Sequence, residues 1–96
     1  MYGTVAHLRV KPGMEERLIE LFRAIEALKS PGLLAAHCYR MDIDKNDYYL
    51  AVVFASKELY FANAENPEVL AIDREMFTLL ESDPEWHDGE IIYAKK

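Results

Sequence analysis

A chain of 96 residues, 51% apolar and 29% charged, has the composition of a soluble globular protein and the length of one domain, residues 1–96. Its net charge of −6 is spread along the chain, with no Lys/Arg cluster beyond Lys95-Lys96, so binding to nucleic acid or to an anionic membrane lacks its electrostatic driving force. A single cysteine, Cys38, excludes an internal disulfide, no apolar run approaches the ~20 residues that span a bilayer, and the N-terminus is too short and polar for a signal peptide; the expectation is a cytoplasmic protein.

Residues 3–10, GTVAHLRV, alternate. Thr4, Ala6, Leu8 and Val10 share one side and Val5, His7 and Arg9 the other, which is the period of a strand. KPG at 11–13 ends it. From Met14 to Lys29 the period lengthens: Met14, Leu18, Leu21, Phe22, Ile25 and Leu28 form one helical stripe opposite a charged face. Glu15 and Glu16 early and Lys29 late suit the helix dipole. SPG at 30–32 breaks the helix, and Leu33 to Met41 reads as a second strand of small residues. Its sides are Leu34, Ala36 and Cys38 against Leu33, Ala35, His37, Tyr39 and Met41. DIDKND at 42–47 is a polar hairpin connection, followed by a third strand from Tyr48 to Ala55. Ser56 can cap a short helix running to about Asn63. Asn66 with Pro67 starts a longer helix whose stripe is Val69, Ile72, Met76, Leu79 and Leu80, stopped by SDP at 82–84. Ile91 to Ala94 reads as a short last strand.

The order strand, helix, strand, strand, helix, strand predicts a ferredoxin-like α+β sandwich, a four-stranded antiparallel sheet with its helices on one face. In that topology the third strand is central. Its run Tyr48 to Phe54 is apolar on both sides, while the helices cover one side only. A monomer would expose a broad apolar patch, so a homodimer packed sheet to sheet is expected. His7, Arg9, His37, Tyr39 and Tyr49 are the candidate interface residues. The alternative is a central strand shielded by the stems of Arg9 and Arg40.

Chemistry is less marked. His7 and His37 fall on the face away from the helices, where a histidine can be a base or a ligand, or simply a hydrogen-bonded interface residue. His7, His37, His87 and Cys38 are too scattered for three or four converging ligands, so no metal is expected. Cys38 reads as a small hydrophobe facing the helices. EWHDGE at 85–90 gathers Trp86, His87, Asp88 and Glu90, but adjacent turn residues diverge and Gly89 signals a loop; Trp86 then plugs the edge of the core. Tyr48, Tyr49, Tyr60, Phe61 and Phe77 suit an apolar pocket for a flat phenolic ligand as well as they suit a filled core.

Four stretches, AHLRVKPGMEERLIELF, SPGLLAAHCYR, YYLAVVFASKELYFANAENPEV and DPEWHDGEIIYA, resemble the antibiotic biosynthesis monooxygenase (ABM) family of the dimeric α+β barrel superfamily. The resemblance implies a homodimer with a ligand pocket between sheet and helices in each subunit. It implies an oxygenase that needs no cofactor and acts on a small aromatic or quinol-like molecule, with a non-catalytic ligand-binding protein as the alternative. Cofactor-free members use Asn, Trp, Tyr and Arg in the pocket. The candidates in that region are Tyr60, Phe61, Asn63, Asn66, Arg74, Phe77 and Trp86. Haem-degrading members use an asparagine on the first strand, where Ala6 stands here, and a histidine on the second helix, where residues 67–81 have none.

Overall fold

The alternation of the first strand sets the plan of the molecule. In the computed structural model, which describes residues 1–95, it forms β1 (Tyr2–Arg9) and takes a central place in the sheet. There follow α1 (Glu15–Ala27), β2 (Leu33–Arg40), β3 (Asp47–Phe54), α2 (Lys57–Ala64), α3 (Pro67–Phe77) and β4 (Glu85–Glu90). The four strands lie in the order β2-β3-β1-β4, and every pair is antiparallel. This is the ferredoxin-like α+β fold, with β1 and β3 in the middle.

Side chains sort as their period demands. Ala6, Leu8, Val10, Tyr48, Leu50 and Phe54 point to the helices and are at most 8% exposed. Leu18 and Leu21 of α1 and Val69 and Met76 of α3 close on them. Each of these larger apolar groups stabilises by ~1.5–3 kcal/mol on full burial. The caps are set locally: Ser56 Oγ accepts from the Leu59 N–H, and Asn66 Oδ1 from the Glu68 N–H with Pro67 at the first turn. Gly32, at φ 81°, carries the turn into β2, where a Cβ would collide with the Leu59 side chain.

Three boundaries differ from the sequence reading. The helix stripe of 67–81 stops at Phe77, because the chain then leaves the helix to pair with the end of β1. Leu80 bridges Val10, the Lys11 N–H donates to the Leu79 carbonyl, and the Glu81 N–H to that of Arg9. The last strand is Glu85–Glu90, the stretch read as a loop, while Ile91 to Ala94 lie beyond it. An edge strand whose six residues are all exposed shows no apolar alternation to recognise. Lys29 stands outside α1 in a left-handed conformation (φ 51°), so the last turn holds no basic residue.

β2 also departs in register. A bulge between Leu33 and Ala35 puts Leu33 opposite Phe54, on the helix side. Ala36 and Cys38 remain on that side, opposite Val52 and Leu50. The other sheet face is uncovered within the subunit. Val5 is 50% exposed, Tyr39 57% and Tyr49 38%.

Candidate functional site

Under α2 the helices do not close on the sheet. A cavity of about 760 Å³ remains between them. Its floor is Thr4 of β1, Leu50, Val52 and Phe54 of β3, and Ala36 and Cys38 of β2. Phe22, Ile25 and Glu26 of α1 form one wall and Val69, Leu70, Asp73, Met76 and Phe77 of α3 another. Tyr60, Phe61 and Asn63 of α2 and Trp86 and Asp88 of β4 complete it. The space exists because β2 turns a methyl group and a thiol toward the helices, where β1 and β3 turn leucines and aromatics.

The lining is aromatic with a few placed polar atoms. Tyr60 packs edge-on against Phe54 and Phe61, with ring centroids 5.6 Å and 5.1 Å apart. Its hydroxyl donates to Asp88 Oδ1 at 2.8 Å, tying α2 to β4. Burial, then the Asp88 carboxylate, push the Tyr60 phenol up to about 12, so it stays a donor at neutral pH. The Thr4 hydroxyl lies near that phenol, but no hydrogen bond of normal geometry joins them. Thr4 Oγ1 and Asn63 Oδ1 are buried without a partner among the described residues. Burial pushes Asp73 up to about 6, so its carboxyl can accept a proton, accept a hydrogen bond or pair with a cation near neutral pH. Burial, with Glu15 nearby, pushes the Cys38 thiol up to about 11, which leaves it a poor nucleophile.

Of the residues read from the sequence as pocket candidates, Tyr60, Phe61, Asn63, Phe77 and Trp86 come together on this lining. Two do not. Asn66 spends its side chain capping α3, and Arg74 is exposed outside the lining. Trp86 is no plug; it stands on β4 opposite Ala6, half-exposed at the cavity wall. His7, Arg9, Tyr39 and Tyr49 lie on the open sheet face. There His7 stacks on Tyr49 at 4.9 Å, its Nε2 hydrogen-bonds Asp47 Oδ1 at 2.9 Å, and Arg9 donates to Asp44 and Asp47. The Arg9 guanidinium holds both of those carboxyls below the usual carboxylate range. His37 registers with Ala51 on that face but also borders the cavity at the sheet edge.

Asp73, Thr4 and Glu26 were not read as site residues, and Asp88 was set aside with EWHDGE as part of a loop. For Asp73 the signal was present: it lies four residues after Val69 and three before Met76, an acid inside an apolar stripe. For Asp88 it was the spacing of two from Trp86, which places both on one side of a strand but helps only once 85–90 is known to be a strand.

The architecture matches solved structures over nearly its whole length. SnoaB, a cofactor-independent oxygenase from Streptomyces nogalater, superimposes with a TM-score of 0.83 over 97% of this chain and 94% of that one, at 16% identity. Two proteins named for the ABM family do likewise. One from Caulobacter crescentus has a TM-score of 0.83, 19% identity and coverage of 96% and 90%. One from Chloroflexus aurantiacus has 0.81, 23% and coverage of 99% and 96%. At such identities the likeness shows the fold. No curated protein matches the sequence. The family model for antibiotic biosynthesis monooxygenases matches residues 1–75, which takes in β1 through most of α3 and with them most of the cavity. The chain therefore belongs to the antibiotic biosynthesis monooxygenase family.

Proposed function

We propose that the protein is an ABM-type monooxygenase that oxidises a small aromatic or quinol-like substrate with dioxygen and no cofactor. The observation that supports this is the cavity of about 760 Å³, walled by Phe22, Tyr60, Phe61, Phe77 and Trp86 and floored by apolar strand residues. Its size and its flat aromatic walls suit a ring system of two or three rings. The substrate supplies the electrons. A phenol with a free ring position loses its O–H and one C–H hydrogen; one oxygen atom leaves with both as water, and the other becomes the second carbonyl of the quinone. The protein holds the ring at the reacting geometry and excludes water from it.

Two copies are proposed to pair through the open sheet face, where Val5, Tyr39 and Tyr49 present apolar area beside the His7 and Arg9 cluster. Sheet packing would cover that area and leave both cavities on the outer, helix-bearing sides.

Oxygen consumption tests the reaction. A panel of naphthols, naphthohydroquinones and anthrones should include a compound that draws oxygen above its rate without protein, with one quinone formed per dioxygen. Uptake no faster than the blank across the panel, together with thermal stabilisation by the same compounds, would leave a ligand-binding protein instead. Sedimentation at micromolar concentration should give twice the chain mass, and Val5→Lys should halve it.

A further inference from the structure

The carboxylates of the cavity are not matched by cations. Among the described residues its lining holds Glu26 on α1, Asp73 on α3 and Asp88 on β4, and no lysine or arginine. Asp88 already accepts from Tyr60, and Glu26 is exposed at the rim. Asp73 differs from both. It lies in the inward stripe of α3 and has no hydrogen bond or ion pair among the described residues, and burial alone disfavours its charge. A carboxylate partly withdrawn from water beside an apolar space is satisfied best by a ligand group that donates to it and carries positive charge.

Two further atoms point the same way. Thr4 is 5% exposed and its Oγ1 has no partner, and Asn63 Oδ1 is buried unpartnered in the same lining. A buried oxygen without a donor is a standing deficit that a ligand N–H can remove. An anionic ligand group would instead add its charge to three carboxylates with no cation to offset it.

We propose that the cavity selects aromatic ligands bearing a protonated amine over those bearing a carboxylate or phosphate, and that Asp73 sets this preference. The inference rests on the cavity being the ligand site of the proposed function, and it narrows the substrate to amino-substituted aromatics.

The other titratable groups facing the cavity are Glu26, His37, Cys38, Tyr60 and Asp88. Cys38, at about 11, and Tyr60, at about 12, are neutral near pH 7. Asp73 ionises as pH rises through about 6, so amine affinity rises between pH 5 and pH 7. His37 is a further polar group on the lining, and a variant separates its contribution from that of Asp73.

Three probes share one ring system: 1-naphthylmethylamine, 1-naphthylmethanol and 1-naphthoate. Calorimetric titration at pH 7 should find the amine about tenfold tighter than the alcohol, and the naphthoate weaker than either. At pH 5 the amine's advantage should fall several-fold. Asp73→Asn should remove it at both pH values while leaving the alcohol's affinity within about twofold, and His37→Gln should keep the pH dependence. Naphthoate binding as tightly as the amine, or an undiminished amine preference in Asp73→Asn, overturns the proposal. Equal binding of all three defeats this inference and spares the ligand cavity; binding of none defeats both.

Discussion

One face of one sheet meets the helices in two different ways. Toward the end where Val10 bridges Leu80 the layer is filled: Leu8, Val10 and Leu18 are at most 2% exposed, with Leu79 and Leu80 packed around them. Toward the β2 edge the same face is floored by Ala36 and Cys38 and roofed by α2, a helix with no buried residue, and about 760 Å³ stays open. The backbone plan is common to both halves. Side-chain volume separates them, since a close-packed interior needs large groups from both layers and the β2 edge receives them from one layer only. Stability is concentrated in the filled half, and the open half is free to bind.

Truncation should expose this contrast most strongly. Leu18→Ala removes a fully buried side chain that neighbours cannot replace and should destabilise by ~2–5 kcal/mol. Phe77→Ala, on a residue 38% exposed at the cavity wall, should lose about 1 kcal/mol. Chemical denaturation of both variants checks this, and equal losses would mean that the two halves are packed alike.

Filling the open half should weaken binding and spare the fold. Ala36→Leu projects a larger group from the cavity floor, so stability should stay within about 1 kcal/mol of the parent while affinity for the naphthalene probes falls about tenfold or more. A loss of stability comparable to that of Leu18→Ala would show that the floor has no room.

The smallest effect depends on pH. The folded-state carboxyl of Asp73 is raised from 3.8 to about 6, so the folded state holds this proton more tightly than the unfolded state. Its favourable contribution is complete below about pH 4 and is lost as pH rises through about 6. Because the group is partly solvated, Asp73→Asn should stabilise by only about 1 kcal/mol at pH 7 and by almost nothing at pH 4.5. Glu15, held low by Tyr48 and then Arg40, and Asp44 and Asp47, held low by Arg9, change charge further down the scale. Melting curves between pH 4.5 and 7.5 test this. A variant that gains as much at the acid end as at pH 7 would show that burial of the ionised group is not the cause.

Much of the fold was legible in the sequence and much less of the site. Ser56, Asn66 and Pro67 announced two helix starts because a cap needs only a side chain and the next few N–H groups. The alternation of 3–10 sorted the core face of β1 from its open face because period two is a property of the strand itself. The aromatic residues of α2 could be placed near a pocket from their position, but Asn66 and Arg74 could not be told from lining residues, since helix rotation and capping decide which way each side chain goes.

The sequence by itself determined the succession of elements, the two sides of β1, and a charge that disfavours anionic partners. These follow from local periodicity, capping chemistry and composition. Tertiary structure alone decided that EWHDGE is a strand, that α3 ends at Phe77, and that Asp73 borders a hollow lined, among the described residues, by no lysine or arginine. Each depends on pairing or packing between segments far apart in the chain. The first two turn on whether β1 offers a free edge, and the third on the volumes that β2 and α2 fail to supply.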